Sequence, residues 1–125
     1  MEQEGYLSLW VGTFESNEDF RNYLLIPYNE DGDAIPSNFE KDFHIEHYDE
    51  DFIEVEFFDE NVKNLSRLLD GCSYDDVVIP NFININGESL TYSVNCMILL
   101  YNFQYSTKGQ SDLKYVKYLG NVRYK

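Results

Sequence analysis

The sequence predicts an α+β fold: a single domain with a mainly antiparallel sheet of about four to five strands and about three short helices. Three observations carry this. The chain has 125 residues, the size of one domain. Its patterned segments run β-α-α-β-α, then an illegible stretch, then β-β, without the regular alternation of a doubly wound sheet. The last two strands read as a hairpin, the clearest antiparallel pair. No internal repeat, low-complexity tract or linker divides residues 1–125.

Leu7-Ser-Leu-Trp-Val-Gly-Thr13 alternates with period two, so Leu7, Leu9 and Val11 point one way and Ser8, Trp10 and Gly12 the other. Ser16 and Asp19 resemble a capping box with Asp in place of Glu. They open a short helix over 17–26, with Phe20, Tyr23 and Leu24 on one face and Pro27 near its end. Glu30-Asp-Gly-Asp33 is a turn, prolonged by Ile35-Pro36. Ser37 and Glu40 form a second capping box, opening a turn or two of helix through Phe39 and Phe43.

Asp49-Glu-Asp51 reads as a solvated turn before a strand over 52–58. In that strand Ile53, Val55 and Phe57 face the core and Glu54 and Glu56 lie opposite. Val62, Leu65, Leu68 and Leu69 give a third helix, with Gly71 as its cap. Residues 72–91 are the least legible. Asp75–Ile85 contains Pro80 and reads equally as a loop, a broken helix or a short strand. Tyr92–Tyr105 is the longest strand, apolar on both faces in its middle, as a centrally placed strand would be. A polar turn over 106–111 leads into a last strand over 113–124, with Gly120 placed for a bulge.

Nine Lys and Arg stand against 23 Asp and Glu, a net charge of −14. Residues 1–60 hold 18 acids and two bases; residues 61–125 hold five acids and seven bases. A chain that is 43% hydrophobic and 17% aromatic should fold, because disordered acidic chains lack aromatics. Its longest apolar run, Met97–Tyr101, is far short of the ~20 residues of a membrane helix. Residues 1–5 lack the basic and apolar regions of a signal peptide. Binding to nucleic acid is excluded as a main activity, since phosphate contacts need clustered Lys and Arg. Cys72 and Cys96 make no disulfide framework and are expected as reduced thiols in a cytoplasmic protein.

Catalytic and metal chemistry find little purchase. Cys96 sits in an apolar strand and reads as a small core residue, while Cys72, after a helix cap, is expected to be partly exposed. His44-Ile-Glu-His47 with Asp49, Glu50 and Asp51 collects metal-ligand types in eight residues, but its histidines lack the four-residue spacing of the zinc-protease motif. A solvated linker before a strand is the better reading of the segment. Glu30-Asp-Gly-Asp33 lacks the twelve-residue calcium-loop pattern. Carboxylate pairs occur at every spacing among 23 acids and so carry no specificity. No phosphate-cradling glycine loop is present, and no cofactor is implied.

An interaction surface is the remaining candidate. If the first two strands share a sheet, one face carries Ser8, Trp10, Glu54 and Glu56, an aromatic anchor among charges that steer. The competing reading buries Trp10 beneath a helix on a sheet covered on both faces. The acidic turns Glu30–Asp33 and Asp49–Asp51 would extend such a patch.

Ser8-Leu-Trp-Val-Gly-Thr-Phe14, Tyr28-Asn-Glu-Asp-Gly32, Ser37-Asn-Phe39 and above all Tyr48-Asp-Glu-Asp-Phe-Ile-Glu54 resemble the Immunity protein 22 family, whose members neutralise toxins of bacterial polymorphic toxin systems. The likeness is densest over 7–58 and weaker through Met97–Phe103 and Leu119-Gly120. It implies a cytosolic, non-enzymatic α+β protein that binds a cognate toxin domain. No catalytic residues carry over. Trp10, Glu30, Asp31, Asp49, Glu50, Asp51 and Glu54 fall in the matching strings, with Glu56 just beyond; Tyr48 and Phe52 fit a core role at least as well. A net charge of −14 suits a basic partner such as a nuclease. Two other readings stay open: an acidic interaction module or nucleic-acid mimic with another partner, and a metal-dependent hydrolase using His44 and His47.

Overall fold

In the computed structural model, which describes residues 2–46, 48–105 and 116–125, four strands form one sheet in the order β2-β3-β1-β4. The strands are β1 (Glu2–Gly12), β2 (Ile53–Asn64), β3 (Ser89–Phe103) and β4 (Val116–Arg123), and every paired neighbour is antiparallel. The helices are α1 (Asn17–Leu24), α2 (Asn38–Phe43), α3 (Leu65–Leu68) and α4 (Asp75–Asn86), with a 3₁₀ turn over Glu50–Phe52. The fold is α+β.

Both faces of the sheet are covered, because β1 and β3 are apolar on both sides. Leu7, Leu9 and Val11 join Leu65, Leu68, Val78 and Phe82 of α3 and α4 in one core. Trp10, Cys96, Ile98 and Leu100 join Phe20 of α1 and Phe39 and Phe43 of α2 in the other. The helices start where local chemistry satisfies their free N–H groups. Ser16 Oγ accepts from the Asp19 N–H at 3.1 Å. The Ser37–Glu40 box is complete: Ser37 Oγ accepts from the Glu40 N–H at 3.1 Å, and Glu40 Oε1 accepts from the Ser37 N–H at 2.9 Å. His44 ends α2 in the left-handed region, at φ 55°.

Two expectations are corrected, and the stretch left open takes a definite form. The last two strands are not a hairpin. β1 lies between β3 and β4 and pairs with both, so β3 and β4 run parallel on its two sides. The third helix is a single turn, since β2 runs on to Asn64 and takes Val62 with it. The illegible stretch contains the longest helix, α4, despite Pro80 inside it. Proline removes one helical hydrogen bond. Burial of Val78 and Phe82, four residues apart, and two bonds to β4 hold the helix nonetheless. Asn81 Nδ2 donates to the Arg123 carbonyl and Asn86 Nδ2 to that of Leu119, both at 3.1 Å. The polar turn expected over 106–111 and the start of the last strand at 113–115 lie outside the described residues.

The expected bulge at Gly120 is present. Leu9 pairs with Gly120 and Trp10 with Tyr118, leaving Leu119 as the extra residue. Gly120 adopts φ +123°, and a Cβ there would meet Ile85 Cδ1 at 2.9 Å. Gly120→Ala is therefore expected to destabilise the fold by about 1–3 kcal/mol, mainly through backbone strain. Urea unfolding measures it; a midpoint equal to that of the parent protein would contradict the strain argument.

Candidate functional site

The Tyr48–Glu54 string is where surface chemistry converges. Asp49 caps the 3₁₀ turn, its Oδ1 accepting from the Asp51 N–H at 2.9 Å. The turn fans its side chains outward in different directions. Asp49 and Phe52 border a cleft of about 110 Å³ with Glu2, Tyr101 and Asn102. Glu50 borders a second, of about 140 Å³, with Tyr28, Ile35 and Glu46. Asp51, Phe52 and Glu54 border a third, of about 200 Å³, with Ser73, Tyr74 and Tyr124. Phe52 is the ridge between the first and third clefts. Tyr48 underlies the first and second and is itself buried.

Exposed apolar side chains follow the same line. Phe52 is 44% exposed, Tyr74 48%, Tyr28 62% and Ile35 38%, and all four border these clefts. Large apolar groups left in water and ringed by charge mark interaction surfaces. Among the described residues the one ion pair joins Arg67 to Glu60, so no internal salt bridge neutralises the carboxylates around Phe52.

The sequence-predicted site residues fare differently. Asp49, Asp51 and Glu54 border the two clefts that Phe52 divides, while Glu50 lies on the separate cleft beside Tyr28 and Tyr48. Glu30 and Asp31 are exposed on a turn whose flanks, Tyr28 and Ala34, pair with each other and reach the Glu50 cleft. Glu56 is exposed two residues beyond Glu54, on the same side of β2. Trp10 is not on this surface: it is completely buried, ringed by Phe39, Tyr118, Tyr105 and Phe43 at 5.0–5.8 Å. The supposed shared face fails on register. Trp10 and Val55 both pair with Ile98, so Trp10 shares its side of the sheet with Val55, while Glu54 pairs with Leu99 and faces the other way. Phe52, which fitted a core role, is exposed. Missing from the sequence reading were Glu2, Tyr28, Tyr74, Tyr101 and Tyr124, which come from five separate segments. For the four tyrosines among them, the chain's 11 Tyr were the one available signal.

Glu54 is firmly placed. Its Oε1 accepts from the Tyr101 hydroxyl at 2.6 Å and the Ser73 N–H at 3.0 Å. Burial first, then this bond, pushes the Tyr101 phenol well above its ordinary pKa. Burial and the charges on Glu40 and Glu50 raise Tyr48 to about 12. Both thiols are buried too, which corrects the partly exposed Cys72. Burial raises Cys72 to about 11 and Cys96 to about 12.

These groups are neutral when protonated, and the unfolded chain would release their protons first, from about pH 9 for Cys and 10 for Tyr. Their contribution is complete below pH 9 and is lost as pH climbs through 11–12. The urea midpoint, followed by fluorescence, is expected to hold to about pH 9 and fall steeply above 10. A flat midpoint through pH 11 would contradict it.

No group of three or more metal-ligand side chains converges among the described residues. His44 is exposed, and His47 lies outside the described residues. No described helix is long and apolar enough to cross a membrane. Compared with known families, residues 7–125 match the Immunity protein 22 family, nearly the whole chain.

The chain belongs to the Immunity protein 22 family. Immunity proteins neutralise a cognate toxin, so the family implies an inhibitor rather than an enzyme and a toxin as the partner. No curated protein and no solved structure matches the chain. In this Immunity protein 22 member, residues 48–54 border three clefts, and the exposed Phe52 ring borders two of them.

Proposed function

We propose that this chain neutralises its toxin in the cytoplasm by docking the Phe52 ridge and the acids around it onto a basic face of the toxin domain. A nuclease fits that description, because it must present positive charge to its own substrate. The observation that carries the reading is the position of residues 48–54 at the junction of three clefts, with aromatic and carboxylate side chains interleaved. The two kinds of side chain divide the work. Carboxylates raise the encounter rate and reject acidic partners, and desolvated aromatics supply the affinity. Occupying a nuclease's basic face would deny it to nucleic acid without any chemistry on the inhibitor.

Co-expression tests the outcome: a toxin lethal alone should be silenced by this protein. Stopped-flow association tests the means. Between roughly 0.05 and 0.5 M salt the on-rate is expected to fall ten-fold or more, as screening shortens the reach of the acidic field. An unchanged on-rate would remove electrostatic steering from the account.

A further inference from the structure

We propose that the groove beneath Phe52 is a receptor for a single arginine side chain of the partner protein. The inference rests on the reading that this surface meets a basic partner, and it names the side chain that enters. The groove holds about 200 Å³, below the ~300–1,000 Å³ of pockets that take whole small molecules, and suited to one long side chain.

Its walls are aromatic. Tyr74 packs on Tyr124 with ring centres 4.9 Å apart, and Tyr124 stands edge-on to Tyr101 at 5.1 Å. Tyr74 and Phe52 leave much of their rings open to the groove mouth. Its charge is negative, with Asp51 at the rim and Glu54 pinned by Tyr101 and Ser73. These bonds use Oε1 of Glu54, and among the described residues no basic group pairs with either carboxylate.

A second observation points to a cation. Lys125 borders the same groove, and its own ammonium lies 5.7 Å from the centre of the Tyr124 ring. Lys125 directly follows Tyr124 in the chain, and its ammonium rests beside that ring without pairing with Asp51 or Glu54, so both carboxylates stay open to an incoming cation. Arginine suits the site better than lysine. Its flat guanidinium stacks on a ring and forks onto carboxylates, whereas an ammonium is a strongly hydrated point charge.

The test uses acetylated and amidated tripeptides Gly-Arg-Gly, Gly-Lys-Gly and Gly-norleucine-Gly, titrated into the full chain and followed by amide chemical shifts. The arginine peptide is expected to shift Ser73, Tyr74 and Tyr101 with millimolar saturation, at least three-fold more tightly than the lysine peptide. The norleucine peptide should leave them unmoved. Glu54→Gln keeps an oxygen for Tyr101 and Ser73 while removing the charge, and should weaken the arginine peptide at least three-fold; Asp51→Asn should act likewise. Equal binding of lysine and arginine, or equal shifts on the Glu30–Asp33 turn, would overturn the groove while leaving an acidic docking surface intact. Groove binding as described beside a salt-independent toxin on-rate would instead sink the steering proposal alone.

Discussion

Phe52→Ala is expected to weaken the complex with the toxin by about 30-fold or more, the mark of a central interface anchor worth ~2 kcal/mol. The unfolding free energy should move by no more than about 0.5 kcal/mol, because the ring is 44% exposed and fills no core. The change should appear in the dissociation rate. Charge reversal at the exposed Asp49, Glu50 and Asp51 should instead slow association, since rim charges act on encounter. Surface plasmon resonance separates the two rates. An unchanged dissociation rate for Phe52→Ala would move the anchor elsewhere on the molecule and leave the ridge without a role.

Trp10→Ala is expected to produce the largest loss of stability of any single substitution proposed here, about 3–5 kcal/mol. Four aromatic rings close around Trp10, and removing it leaves a cavity that β1, held on both edges, cannot collapse to fill. A domain of this size has roughly 5–15 kcal/mol in total. Protection in cells should therefore fall through loss of folded protein, with no change in affinity per folded molecule. Trp10→Phe separates the contributions. The indole N–H has no hydrogen-bond partner among the described residues, so phenylalanine removes an unsatisfied buried donor while keeping most of the ring packing. It should cost well under half as much as alanine by chemical denaturation. Normal stability in Trp10→Ala with lost binding would return Trp10 to the interface.

The sequence made the local devices legible and left the long-range ones hidden. Ser16, Ser37 and Glu40 act within three residues of themselves, so their caps could be read from the string alone. Strand neighbours could not. The apolar pattern of β3 announces a covered strand but not which strand lies beside it, and β4 is compatible with an edge next to β3 or next to β1. Alternation in β1 sorts its side chains into two sets without saying that helices cover both. Ser8 and Gly12, the small residues flanking Trp10, were the hint that its side is crowded. α4 was obscured by Pro80 and by the β-branched residues Val77, Val78, Ile79, Ile83 and Ile85, which favour strand by local preference. At the candidate site, the acids of 49–54 were legible because they are contiguous. The tyrosines that build the groove with them stand at 74, 101 and 124, and no sequence window holds all three.

The central place of β1 also sets a timetable. Leu7 pairs with Tyr101 on one side and Val122 on the other, so the sheet cannot close until almost all of these 125 residues exist. At the ~5–20 residues per second of protein synthesis, β1 waits on the order of 5–20 s for its neighbours, with two apolar faces and two open edges. Pairings this distant also make folding slow once the chain is released. The sheet is therefore completed only after synthesis is nearly finished, and β1 depends on both late strands to cover its edges.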